Sequence, residues 1–142
     1  MLGRLYDYVM RKSRVILTNM VMLYKKDGSF LVENRLKQDW PGLNFPGGHV
    51  EDDESMEESA KREMKEETGY IINHLEWVGY FEWNLPKEEV RHFCLLFRSQ
   101  DFSGSLLSSK EGPVFWIKEE EVKNYSLSTD FDKVLALMRK GL

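Results

Sequence analysis

The stretch from Gly48 to Tyr70 constrains this chain more than any other, because it reads as a helix with fixed ends and a heavily charged surface. Ser55, followed three residues later by Glu58, makes a capping box with Ser55 at the N-cap, and Gly69 supplies the C-terminal stop. Residues 51–67 carry nine acidic groups against three basic ones, a local net of -6 in a chain whose total is -4, so the remainder sums to +2. Such a cluster repels itself unless it is solvated or neutralised by cations. On a helical wheel Glu63, Glu66 and Glu67 share an arc of about 100°, overlapped by Met56 and Ala60, while Lys61, Lys65, Glu57 and Glu58 point the other way. The three glutamates are therefore expected to adjoin the buried stripe, a costly placement unless positive charge sits among them.

Hard divalent cations suit that arrangement. Carboxylate oxygens with no thiolate or imidazole cluster nearby favour Mg²⁺ or Mn²⁺ over zinc. Such ions share their shell with substrate phosphates and can polarise phosphoryl oxygens. Gly47 and Gly48, just before the acidic loop, allow close approach of a ligand to the main chain. Arg62 keeps its proton and can grip a carboxylate with both arms of its guanidinium, so it is expected to orient the glutamates and not to touch substrate.

The rest of the chain frames this segment. At 142 residues it fits one domain, expected over 14–142, with 1–13 as an N-terminal extension. Leu2, Leu5, Tyr6 and Val9 recur at helical spacing there, ahead of the basic cluster Arg11, Lys12 and Arg14. Val15 to Tyr24 and Phe30 to Arg35 read as two strands of a hairpin around Asp27-Gly28. Phe45 is assigned to a short strand inside the turn-rich loop 40–48. Ile71 to Trp83 and Val90 to Ser99 read as strands joined near Pro86, the second apolar on both faces and so central. Pro113 to Ile117 is a short strand, and Phe131, Val134, Leu135 and Met138 mark one face of a C-terminal helix. Strands with interspersed helices indicate an α/β layered domain.

Cys94 is the only cysteine, which excludes an intramolecular disulfide and points to a reducing, cytoplasmic compartment. Its apolar surroundings suit a structural thiol. No stretch is long and apolar enough for a transmembrane span, and the negative net charge argues against a nucleic acid polymer or an anionic membrane as partner.

A glutamate-rich helix is most often a solvated surface helix, and the spacing of fixed residues overturns that reading here. Gly48, five residues, Glu54, seven residues, then Arg62-Glu63-Met64-Lys65-Glu66-Glu67-Thr68-Gly69 sets seven identities in register. With residue frequencies near 0.06, such a match arises on the order of once in 10⁸ starts. The pattern resembles the Nudix box at every fixed position. From about Arg14 to Met138 the chain is similar to Nudix hydrolases, in particular the MutT-like 8-oxo-dGTP diphosphatase group. Trp40, Phe45-Pro46-Gly47-Gly48-His49-Val50-Glu51, Phe102-Ser103-Gly104 and Glu111-Gly112 ahead of Phe115-Trp116 support it.

The resemblance implies an α/β/α sandwich around a mixed sheet, with the box forming a loop–helix–loop. It implies a Mg²⁺- or Mn²⁺-dependent enzyme that converts a nucleoside triphosphate, 8-oxo-dGTP or a related purine nucleotide, to the monophosphate and pyrophosphate. ADP-ribose, a dinucleoside polyphosphate or another nucleoside diphosphate derivative is the alternative substrate class, and a non-catalytic nucleotide-sensing module is the alternative of a different kind. A monomer or a homodimer is expected. Carried over by residue, Glu63, Glu66, Glu67 and Glu111 would be catalytic groups and metal ligands, joined by the carbonyl of Gly48. Glu54 and Arg62 would stabilise the loop–helix geometry. Asn44 and Asp130 would read the base. Arg35 is a candidate for phosphate and Phe81 for base stacking, while Asn19 could line the base pocket or satisfy a neighbouring group. His49, His74 and His92 lack metal-ligand spacing. Tyr70 stands where the box usually has an aliphatic residue.

Overall fold

The computed structural model describes residues 13–107 and 110–142, so the amphipathic helix expected at Leu2, Leu5, Tyr6 and Val9 lies outside the described residues. Seven strands and two α-helices follow: β1 (Val15–Leu23), β2 (Phe30–Arg35), β3 (Gly42–Asn44), β4 (Gly47–His49), α1 (Met56–Thr68), β5 (Tyr70–Leu85), β6 (Val90–Gly104), β7 (Val114–Ile117) and α2 (Phe131–Met138). Short 3₁₀ turns at Pro86–Glu88 and Glu119–Asn124 complete the chain. The strands form two sheets. One is mixed, ordered β4-β1-β6-β5 with β1 parallel to β6, and the other is antiparallel, ordered β3-β2-β7.

Side-chain alternation along the strands builds two cores, one under each helix. Met20 and Met22 of β1, Phe30 and Val32 of β2 and Cys94 and Leu96 of β6 face Phe131, Val134, Leu135 and Met138 of α2. The residues between them, Val21, Leu23, Leu31, Leu95 and Phe97, face Ala60 and Met64 of α1. Both faces of the strands are thus covered, which gives the expected α/β/α sandwich. Met64 is completely buried, and packing a side chain of that size stabilises the fold by about 1.5–3 kcal/mol. The apolar run of β6 makes it central, as expected, between β1 and β5.

Two sequence expectations fail. The strands β1 and β2 do not pair as a hairpin. Both edges of β1 are taken by β4 and β6, so beyond an isolated bridge between Tyr24 and Phe30 the chain crosses to the second sheet. Phe45 is not in a strand either. It sits between β3 and β4, where the chain leaves one sheet for the other, and its ring anchors that crossing against Phe131 at 5.0 Å.

Candidate functional site

The acidic segment is organised by its helix. Ser55 caps α1, its hydroxyl accepting from the Glu58 N–H at 3.1 Å while the Glu58 carboxylate accepts from the Ser55 N–H at 3.3 Å. Gly69 closes the far end with a left-handed backbone at φ 83° that a side chain would strain. Buried residues Ser59, Ala60, Met64 and Thr68 define the inner face of α1. Glu67 adjoins that face and Glu63 lies at its edge, whereas Glu66 falls farther round and its side chain is 57% exposed. Met56 is also exposed. The expectation that all three glutamates and Met56 border the buried stripe therefore holds for Glu63 and Glu67 only.

Arg62 gathers the loop and the helix. Its Nε and Nη2 donate to the two oxygens of Glu54 at 2.9 and 2.7 Å, and its Nη1 reaches Glu63 at 3.0 Å and Glu66 at 3.1 Å. Nη2 also donates to the His49 carbonyl at 3.0 Å. The Arg62 hydrogen bond, with an N–H donated within the loop, holds the Glu54 carboxyl well below its ordinary range, at about 2. Glu63 behaves in the opposite way. Burial pushes its carboxyl upward, against the pull of Arg62. Its carboxylate packs directly against Gly48, so a side chain there would push the Glu63 carboxylate out of its present position.

Glu67, one turn further, meets two carboxylates from the sheets. One oxygen from each of Glu33, Glu67 and Glu111 lies within 4.8 Å of the others. Glu33 ends the buried part of β2 and is 2% exposed; Glu111 precedes β7. Arg35 donates to Glu111 at 2.6 Å and Lys37 at 3.1 Å, which offsets part of the charge. Three converging carboxylates, one of them almost wholly buried, with no imidazole or thiolate among them, form an oxygen donor set that fits a hard divalent cation. Zinc would call for nitrogen or sulfur ligands.

Sequence reasoning missed Glu33. A signal was present: Leu31 faces α1, and alternation puts Glu33 on the same buried side, where a charged residue is out of pattern. Asn44 lies directly across from Glu33 in the β2–β3 ladder and so shares its face; its Oδ1 accepts from the Phe45 N–H at 3.0 Å. Arg35 sits with the acidic cluster, bound also to Asp39 at 3.2 Å. Phe81 and Asp130 are elsewhere, on the α2 side. There the Trp83 Nε1 donates to Asp130 at 2.9 Å, and Phe81 packs on Trp83 at 4.7 Å. The four candidate substrate contacts thus fall into two groups. Asn19 points toward α1, where it donates to Ser59 at 2.8 Å. His92 is half-buried, 2.7 Å from the Thr18 hydroxyl and beside Trp83. Cys94 is fully buried, and burial pushes its thiol up to about 12, which leaves it inert as a nucleophile. Among the described residues no helix is long and apolar enough to cross a membrane.

Comparison with known proteins agrees with this architecture. A family model for the NUDIX domain matches residues 15–138. The RNA pyrophosphohydrolase of Xylella fastidiosa is 33% identical over 75 residues, which are 50% of this chain and 38% of that protein. The chain therefore spans less than half the length of the curated relatives it matches. The Escherichia coli ORF135 protein superposes with a TM-score of 0.74 at 26% identity, over 92% of this chain and 96% of that one. The mutator MutT protein of Bacillus halodurans gives 0.73 at 24% identity, over 88% and 83%.

Proposed function

The chain belongs to the Nudix family, and from that premise we propose that it is a Mg²⁺- or Mn²⁺-dependent hydrolase of a phosphoanhydride bond in a nucleotide. The favoured substrate is a nucleoside triphosphate, 8-oxo-dGTP or a related purine nucleotide, cut to the monophosphate and pyrophosphate. The observation that carries this reading is the convergence of Glu33, Glu67 and Glu111 beside a loop that Arg62 locks onto α1. Glu33, Glu67 and Glu111 would hold one cation, and Glu63 with the Gly48 carbonyl would hold another. Bound there, the ions would neutralise charge on the phosphates and polarise their oxygens.

The remaining roles belong to the chain itself. Arg62 and Glu54 keep the loop and helix in register, so the ligand atoms need no rearrangement when substrate arrives. Glu66, the box glutamate most open to solvent and held at 3.1 Å by Arg62, would take the proton of the water that attacks phosphorus. In that step a P–O bond forms to the water oxygen and the bridging P–O bond breaks, its electron pair leaving on pyrophosphate. Arg35, at the edge of the cluster, supplies a cation for the departing phosphates. A chain with one buried thiol suits the reducing cytoplasm.

A second reading is favoured by the curated relatives: a 5′-triphosphate at the end of an RNA offers the same bond. One experiment separates these readings. Nucleoside triphosphates, ADP-ribose, a dinucleoside polyphosphate and a 5′-triphosphorylated RNA are each incubated with Mg²⁺ or Mn²⁺ and their products resolved. Monophosphate plus pyrophosphate from a purine triphosphate supports the proposal, whereas inorganic phosphate alone refutes the assigned bond. Binding with no hydrolysis under either metal would make this a sensing module.

A further inference from the structure

The pair Asn19–Ser59 is out of place in its surroundings. Along β1 the neighbours of Asn19 on the same face are Val21 and Leu23, both completely buried in the α1 core. Ser59 lies on the buried face of α1 next to Ala60. An apolar pair would fill that space at no polar cost, yet Asn19 is 1% exposed and Ser59 0%. The Asn19 Nδ2 donates to Ser59 Oγ at 2.8 Å, and among the described residues Asn19 Oδ1 has no hydrogen-bond partner. A buried acceptor left unsatisfied lowers stability. Such local violations are expected where function, not folding, selects the residue.

The pair's other contacts indicate what it does. Ser59 Oγ, receiving the Asn19 proton, directs its own hydrogen to the His49 carbonyl at 3.3 Å. The same hydroxyl lies against the Glu54 carboxylate, so its proton meets the same loop at either acceptor. Arg62 is the second donor to His49, but its guanidinium is shared among Glu54, Glu63 and Glu66. Meanwhile Asn19 is the ladder partner of Gly48, and a Cβ on the adjacent Gly47 would strike the Asn19 carbonyl oxygen. Asn19 therefore meets Gly48 through the backbone and the following residue through its side chain and Ser59. Gly48 in turn packs on the Glu63 carboxylate.

We propose that Asn19 and Ser59 are positioning residues that anchor the Gly48–His49 backbone to α1 and so set the spacing between the Gly48 carbonyl and Glu63. The role they serve rests on the proposed metal-dependent hydrolysis; the anchoring itself does not.

The test uses N19L, S59A and N19L/S59A in the full chain. Four quantities are read: thermal midpoint, amide hydrogen exchange over residues 48–54 without metal, the Mn²⁺ titration midpoint from the electron paramagnetic resonance of free Mn²⁺, and kcat and KM for the best nucleotide. The double variant removes both polar partners, so its thermal midpoint should equal or exceed that of the unmodified protein. Exchange over 48–54 should nevertheless quicken about tenfold, with the rest of the chain unchanged. The Mn²⁺ midpoint should rise about fivefold, and kcat at saturating Mn²⁺ should fall about tenfold with KM within a factor of about two. A double variant that matches the unmodified protein in local exchange, Mn²⁺ midpoint and kcat overturns the proposal. Exchange that quickens throughout the chain, with a lowered thermal midpoint, also overturns it, since the pair would then be merely structural. Should the double variant fail to fold, S59A alone is read for local exchange, Mn²⁺ midpoint and kcat. Its thermal midpoint is expected to be lower because the buried Asn19 Nδ2 loses its acceptor, and exchange that quickens throughout the chain still overturns the proposal. If the unmodified protein hydrolyses no nucleotide while the variants still quicken exchange only at 48–54, the anchoring stands and the proposed reaction falls.

Discussion

Changing Glu33 to Gln should make the metal-free protein more stable and the metal-loaded protein less so. At a separation of 4.8 Å and an effective dielectric constant of about 20, two ionised carboxylates repel by about 3.5 kcal/mol. Arg35 and Lys37 offset the charge on Glu111, and Glu33 and Glu67 have contacts of their own, so the net relief on replacing the Glu33 carboxyl is cut to on the order of 1–2 kcal/mol. For a chain of this size each kcal/mol moves the thermal midpoint by about 3 °C, which gives a rise of about 3–6 °C without metal. Glutamine keeps the side chain's shape and an acceptor oxygen, so packing should not confuse the result. Mg²⁺ stabilises whichever form binds it more tightly. The unmodified protein should therefore gain more than E33Q when the ion is added, and the two melting curves should exchange order. Differential scanning fluorimetry across a Mg²⁺ series reads both halves. A lower midpoint for metal-free E33Q, together with an unchanged Mg²⁺-induced rise, would refute the assignment of Glu33 to a cation site.

Changing Glu67 to Gln should cost at least about a hundredfold in kcat with the circular dichroism spectrum intact, since the residue belongs to both the helix and the converging cluster; retained turnover would remove Glu67 from the chemistry. Replacing Arg35 by Ala strips Glu111 of its 2.6 Å partner, so metal-free stability should fall while apparent Mg²⁺ affinity rises and KM for the nucleotide increases; calorimetry and steady-state kinetics would detect the opposite signs. Cys94, whose thiol burial raises to about 12, should resist a thiol reagent at pH 8 until denaturant is added, and rapid labelling of the native protein would contradict the core placement. Burial, and secondarily His49, depress the affinity of His92 for a proton, so the unfolded chain takes up that proton first as pH falls. The stability tied to a neutral His92 is thus complete above about pH 6.5 and lost progressively below it, and H92Q should flatten the loss in urea titrations between pH 7 and 5.

How far the sequence can be read depends on the range of the interactions that fix each element. The boundaries of α1 were legible because Ser55, Glu58 and Gly69 act within a few residues of themselves. The second helix and the central strand were legible from periodicity, which is local as well. The hairpin reading of β1 and β2 failed because the turn at Asp27–Ser29 is local, but the competition for the edges of β1 is decided by β4 and β6, 24 or more residues away in sequence. Asp130 gave no hint of its bond to Trp83, 47 residues earlier, and no spacing rule connects Arg35 to Glu111, 76 residues on. Glu33 was legible only to a reader willing to count an acidic residue as part of a buried face.

The same distinction explains why the site is built as it is. Glu63 and Glu67 are one helical turn apart, and that spacing of about 6 Å is set by the helix regardless of what the sheets do. One of them rests on Gly48 at the end of the mixed sheet, and the other meets Glu33 and Glu111 from the antiparallel sheet. Under the proposed two-cation arrangement, a helix used as a ruler across the gap between two sheets would convert a tertiary requirement, the separation of the cation positions, into a local one. The residues at the ruler's marks must then keep a fixed spacing in sequence, whereas the carboxylates that meet them from the sheets are free to arrive from any strand that reaches the same place. That is why seven helix and loop identities could be recognised at a glance while Glu33, with the highest degree of burial in the cluster, carried no motif at all.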